Sequence, residues 1–77
     1  MEFHDVASSV ISAIGYDDEQ RILEVRFHNG RIYHYYDVPR TSFERLLTAR
    51  SVGRYFNKVI RVRFRAQLVY DPDLTPP

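Results

Sequence analysis

The sequence predicts an α+β domain: a three-stranded antiparallel meander followed by two helices packed on one sheet face, with an extra edge strand at the C-terminus. Three observations predict it. Between residues 9 and 37 apolar side chains alternate with polar ones, the period of half-buried strands. Between Phe43 and Ile60 they recur three and four residues apart, the period of a buried helical stripe. From Arg61 alternation returns, with Val62, Phe64, Ala66, Leu68 and Tyr70 on one side and Arg61, Arg63, Arg65 and Gln67 on the other.

Residues 1–7 show no clear period and read as a frayed start. Strand one covers residues 9–16, where Val10, Ser12, Ile14 and Tyr16 alternate with Ile11, Ala13 and Gly15. A polar turn, Asp17-Asp18-Glu19-Gln20, leads into strand two over residues 21–28, and Asn29-Gly30 is a hairpin signal before strand three at residues 31–37. Two turns fit. A two-residue loop pairs Val25 with His34 and turns Tyr33 and Tyr35 to the opposite face. A three-residue loop closing on Gly30 pairs Val25 with Tyr33, Leu23 with Tyr35 and Glu24 with His34. Burial favours the second, which keeps a histidine from facing the core beside Val25.

Val38-Pro39 ends the strand, Thr41 or Ser42 caps helix one, and Phe43, Leu46 and Leu47 are its buried stripe. It stops near Arg50. Ser51 caps helix two, which buries Val52, Tyr55, Phe56, Val59 and Ile60. The expected core is Ile14, Leu23, Val25, Phe27, Phe43, Leu46, Leu47, Val52, Phe56 and Ile60. Residues 1–70 form a single domain on this reading, and residues 71–77 a disordered proline-rich tail.

A chain of 77 residues allows one domain, and so short a chain buries only about 60% of the surface its unfolded form exposes. Without cysteine there is no disulfide framework, thiolate nucleophile or cysteine zinc site, which fits a cytoplasmic protein. The opening Met-Glu-Phe-His-Asp is no signal peptide, and no apolar run approaches the roughly 20 residues that span a bilayer, so no membrane partner is expected. The formal charge of +1 conceals a division. Residues 1–44 hold eight acids against Arg21, Arg26, Arg31 and Arg40, whereas residues 45–70 hold seven bases and no acid. Such segregation creates a local field that attracts polyanions.

The chain resembles the KTSC domain, a short bacterial module named for its occurrence at the C-terminus of some lysyl-tRNA synthetases and also found alone. The matching pieces are SSVISAIGYD from Ser8, LEVRFHNG from Leu23, YHYYDVP from Tyr33 and FERLLTARSVGRYFNKVIR from Phe43. Tyr33-x-Tyr35 and Ser51-x-Gly53-x-Tyr55-Phe56-Asn57 are the most specific parts. From Arg61 to Tyr70 this chain departs from the Gly/Pro-containing aromatic end that such domains tend to show. The resemblance implies one compact domain, with RNA as the suggested ligand from the synthetase association, and it carries over no catalytic residues.

The sharpest functional signal is the row Arg50, Arg54, Lys58 and Arg61, which a phosphate backbone can track. A solvated helix face, its last bases favoured by the helix dipole, is the plainer reading of the row alone. Arg63 and Arg65 extend it along the expected basic strand, where charge also blunts an edge. Tyr36, beside Arg26 and His34, is the first exposed aromatic candidate for stacking, while Tyr33 and Tyr35 are assigned to packing. Gly53 suggests a close approach by strand three or helix one. His4, His28 and His34 lack metal-ligand spacing, and no nucleophile elbow or phosphate-cradling glycine loop occurs. The expectation is a non-catalytic nucleic-acid-binding module, RNA before DNA, with no cofactor or metal. The alternative is a protein-interaction module that presents arginines to an acidic partner.

Overall fold

The alternating segments pair into one antiparallel sheet whose strands lie side by side in chain order: β1 (Glu2–Asp5), β2 (Ile11–Asp17), β3 (Ile22–Phe27), β4 (Ile32–Tyr35) and β5 (Ala66–Tyr70). The computed structural model describes residues 1–74. Two helices connect β4 to β5. Helix α1 is Arg40–Leu47, and α2 covers 52–63 as Val52–Tyr55, a wider π-type stretch Phe56–Ile60 and a last turn Arg61–Arg63. None of the described helices is long and apolar enough to cross a membrane.

The β3–β4 hairpin takes the three-residue loop. Val25 faces Tyr33, Leu23 faces Tyr35 and Glu24 faces His34. The loop closes through Phe27 N–H donating to the Arg31 carbonyl, with Gly30 at φ +91°, where a side chain would be strained. Asn29 Oδ1 accepts from Arg31 N–H at 2.9 Å and holds the turn.

Both helices cover the sheet face that carries Ile14, Tyr16, Leu23, Val25 and Tyr35. Phe43 of α1 stacks on Tyr16 at 5.0 Å between centroids. Phe56 of α2 meets Phe27 and Tyr35 edge to face, each at 5.5 Å. The Tyr16 hydroxyl donates to the Val38 carbonyl and so ties the sheet to the start of α1. Of the expected core, Ile14, Leu23, Val25, Phe43, Leu46, Val52, Phe56 and Ile60 are buried, whereas Phe27 and Leu47 are half-buried around it. Ile11, Tyr16, Tyr35 and Val38 complete the core. Ile11 escapes simple alternation because a bulge between Ile11 and Ala13 shifts the register, burying Ile11 and leaving Val10 exposed.

Four expectations are corrected. The opening residues are not frayed: Glu2–Asp5 adds a fifth strand along β2, held by main-chain pairing that leaves no strong side-chain period. Helix α1 starts at Arg40 with Pro39 as its N-cap, and proline's side chain has no oxygen to cap the first N–H groups, so Thr41 and Ser42 lie inside the helix. Arg61 and Arg63 are helical rather than strand residues, and the last strand begins at Ala66. Val52, Phe56, Ile60 and Phe64 stand four apart, a row that an ordinary helix rotates by about 40° per step. The wider π-type stretch compensates over Val52, Phe56 and Ile60, which all stay buried, and the helix runs on to Arg63 before Phe64 turns extended. Finally, Pro72–Leu74 of the expected tail forms a 3₁₀ turn, with Arg31 reaching Asp71 at 3.4 Å. Residues 75–77 lie outside the described residues.

Candidate nucleic-acid interface

Helix α2 is held by its start and its buried row. Ser51 Oγ accepts from Arg54 N–H, and Val52, Phe56 and Ile60 are buried against the sheet. That fixes which residues remain outside: Arg54, Asn57, Lys58, Arg61, Val62 and Arg63 are exposed, as are Arg50 before the helix and Arg65 after it.

Of the four arginines in residues 1–44, three are ion-paired and Arg21 has no such pair among the described residues. Arg26 is paired with Glu24, Arg31 with Asp71 and Asp73, and Arg40 with Glu2, Asp18 and Glu44. The Arg40 guanidinium is held far above its ordinary value by its hydrogen bonds to Asp18 and Glu2, and its charge is spent within the molecule. Among the described residues no such pair involves Arg45, Arg50, Arg54, Lys58, Arg61, Arg63 or Arg65. These are all the bases of residues 45–70.

The surface along α2 is grooved. Arg50, Arg54 and Lys58 border a hollow of about 280 Å³ with Tyr55 and Val59. Arg50 and Arg54 also border a second, of about 390 Å³, with Ser8, Ser9 and Asn57. Asn57 and Val10 are shared with a third, of about 360 Å³, where Arg61 joins Tyr33, Tyr35, Asn29 and Arg31. The expected row is thus present but divided, with Arg50, Arg54 and Lys58 at the first hollow and Arg61 at the third. Gly53 has no tight neighbour from β4 or α1; a Cβ there would stand 3.5 Å from Ser8 Oγ, an ordinary contact with the wall of the second hollow.

Arg26, Tyr36 and Arg65 are not brought to this surface. They lie on the opposite sheet face, which no helix covers. There Arg26 rests over the Phe3 ring at 4.5 Å and binds Glu24 at 2.7 Å, while His34 Nε2 meets the other Glu24 oxygen at 2.7 Å. Burial pushes the Glu24 carboxyl up, but the hydrogen bonds from His34 and Arg26 outweigh it and hold the carboxyl below its ordinary value. Tyr36 is half-buried, donates its hydroxyl to Gln67 Oε1 at 2.8 Å, and lies 5.9 Å below the Arg65 guanidinium. Arg31 and Asn29 join the groove by tertiary placement alone, and no local pattern in the hairpin singles them out. Among the described residues no group of three or more His, Cys, Asp or Glu is arranged to hold a metal ion.

The geometry has relatives. The KTSC domain family matches residues 7–64, ending before β5. A protein of Tsukamurella paurometabola is 49% identical over 61 residues, covering 79% of this chain and 91% of its own. A lysine–tRNA ligase of Nostoc punctiforme is 37% identical over 57 residues, 74% of this chain but 10% of that enzyme. The crystal structure of a KTSC domain protein from Yersinia pestis superposes with a TM-score of 0.83 at 36% identity, over 90% of this chain and 97% of that one. Sequence and fold agree over most of the length, and the chain belongs to the KTSC domain family.

Proposed function

We propose that this domain is a non-catalytic nucleic-acid-binding module, RNA before DNA, that lays a phosphate backbone along Arg50, Arg54, Lys58 and Arg61. One observation carries the reading: every base of residues 45–70 is without an ion pair among the described residues, while three of the four arginines of residues 1–44, Arg26, Arg31 and Arg40, are neutralised by neighbouring acids. Unpaired arginines beside grooves are suited to forked contacts with phosphate. The preference for RNA is supported by the likeness to segments of lysine–tRNA ligases, whose names give tRNA as the partner. The cysteine-free composition suits the reducing cytoplasm, which we take as its compartment.

Each phosphate contact releases condensed counterions, so affinity for a single strand falls with salt at a log–log slope of about −0.7 per contact. The variant Arg54→Gln/Lys58→Gln is expected to flatten that slope by about 1.4 and to weaken binding across sequences alike. Fluorescence anisotropy with labelled RNA and DNA between low and physiological salt measures both. Absence of salt-sensitive binding by the folded wild-type domain overturns the proposal.

A second reading is favoured by β5. All five of its residues are exposed, and Leu68, Val69 and Tyr70 present apolar surface along an edge of the sheet. An acidic protein segment that adds a strand there would meet the arginines of α2 as well. It predicts recovery of such a partner through Arg54 and Lys58 with no appreciable nucleic-acid binding at low salt.

A further inference from the structure

The third hollow has more chemistry than phosphate tracking requires. Phe27, Tyr33, Tyr35 and Phe56 give it aromatic walls, and Asn57 and Arg61 stand at its helix side. Neither tyrosine hydroxyl has a hydrogen-bond partner among the described residues, yet no described polar side-chain atom of the interior is both buried and unpartnered. Both hydroxyls therefore reach open space, and the hollow is the space they line. Burial and the neighbouring Tyr33 push the Tyr35 phenol up while Arg61 opposes them.

The polar groups are also sorted. Asn29 Oδ1 is taken by Arg31 N–H, so its amide nitrogen is left to donate. Arg31 is turned toward Asp71 and Asp73, which leaves Arg61 as the unpaired cation of the hollow. Asn57, with no described partner, offers both a donor and an acceptor. The part-exposed rings of Phe27 and Tyr33 for stacking, amides and hydroxyls for a base edge, and one guanidinium for a phosphate together suit a nucleotide. They do not suit a duplex, whose base faces are stacked and whose pairing edges are occupied.

We infer that the hollow between α2 and the β3–β4 hairpin takes one unpaired nucleotide, its base against the half-buried Tyr33 ring and the Tyr35 hydroxyl and its phosphate on Arg61. Asn57 joins this hollow to the one bordered by Arg54, and Arg54 and Arg61 are seven residues apart on the helix, about 10 Å. A strand following those two cations passes the hollow, so the domain prefers single strands or unpaired loops. The preference for single strands rests on the nucleic-acid reading above; occupancy by a free nucleotide does not.

Two measurements separate the claims. Titrating the four ribonucleoside monophosphates into the wild-type domain, followed by amide and side-chain NMR shifts, is expected to move Asn29, Asn57 and Arg61 saturably for at least one of them. The double variant Tyr33→Phe/Tyr35→Phe, which keeps both rings, is expected to lose about tenfold in affinity for a single-stranded oligonucleotide and to leave its affinity for the matching duplex unchanged. Shifts confined to Arg50, Arg54 and Lys58, or equal affinities of variant and wild type for the single strand, overturn the inference while leaving the phosphate-tracking reading intact. A mononucleotide that fills the hollow when no oligonucleotide binds supports the inference and overturns that reading. Refolding of the variant is checked by its melting temperature, and Asn57→Ala, on an exposed position, repeats the test if the double variant is unstable.

Discussion

Glu24 illustrates how one residue on an uncovered sheet face is kept from water and still ionised. It is only 8% exposed, and each carboxylate oxygen is held at 2.7 Å, one by Arg26 Nε and one by His34 Nε2. Because its folded pKa lies below the ordinary 4.5, the folded state binds fewer protons than the unfolded chain as the pH falls. The stabilisation is present above about pH 4.5 and is lost as the pH drops through the lowered value. Glu2 is shifted the same way by His4 and Arg40, so the wild type alone does not isolate Glu24. The comparison that does is Glu24→Gln, whose melting temperature is expected to be lower at pH 7 and to fall less between pH 5 and 3. Parallel profiles for the two proteins would show that the Glu24 charge contributes nothing. The pairing of Glu24 with His34 was legible in the sequence through the hairpin register, but its closure by Arg26 two residues along was not. In the fold the Arg26 guanidinium lies over the Phe3 ring of β1, a neighbour that the sequence does not place beside it.

Among the elements, α2 is the one on which the others depend. Phe56 sits in its π-type stretch, 5% exposed, with edge-to-face contacts to Phe27 and Tyr35. Truncating such a residue costs about 3 to 5 kcal/mol, a large part of what a small domain holds. Phe56→Ala is therefore expected to unfold the domain or bring its melting close to ambient temperature, as read by circular dichroism. An unchanged midpoint would mean that α2 is only loosely docked. The elements built on side-chain periodicity, β2 to β4 and both helices, were legible because burial on one face imposes the period. Strand β1 was not, because Glu2, Phe3 and Asp5 are exposed and an edge strand needs only main-chain partners. The end of α2 was misread for a related reason: Val62 is 75% exposed, so of the alternating pair only Phe64 packs against the core.

At the scale of the molecule, the segregation of charge has a cost in stability. Arg54 and Lys58 are like charges four residues apart on a helix, an arrangement that destabilises by about 0.2 to 0.5 kcal/mol per pair at low salt. Arg54→Gln is expected to raise the melting temperature slightly in low salt, with the gain fading as salt screens the repulsion, while nucleic-acid affinity falls. Stability and binding moving in the same direction would indicate that Arg54 is part of the packing instead.

The sequence by itself determined the α+β class, most of the core and the division of charge between the two halves of the chain, and it favoured the hairpin register that the structure shows. Each of these follows from local chemistry: a period imposed by one buried face, the cost of facing a histidine into the core, and a count of ionised groups. Tertiary structure alone decided which arginines are spent on internal ion pairs, since Arg31 finds Asp71 and Arg40 finds Asp18 across long stretches of chain. It also decided that Arg26 and Arg65 face away from Arg54, and that Tyr33, Tyr35, Asn57 and Arg61 share one hollow. A linear pattern shows which face of its own element a residue occupies; only the packing of α2 on β3 and β4 brings those faces together.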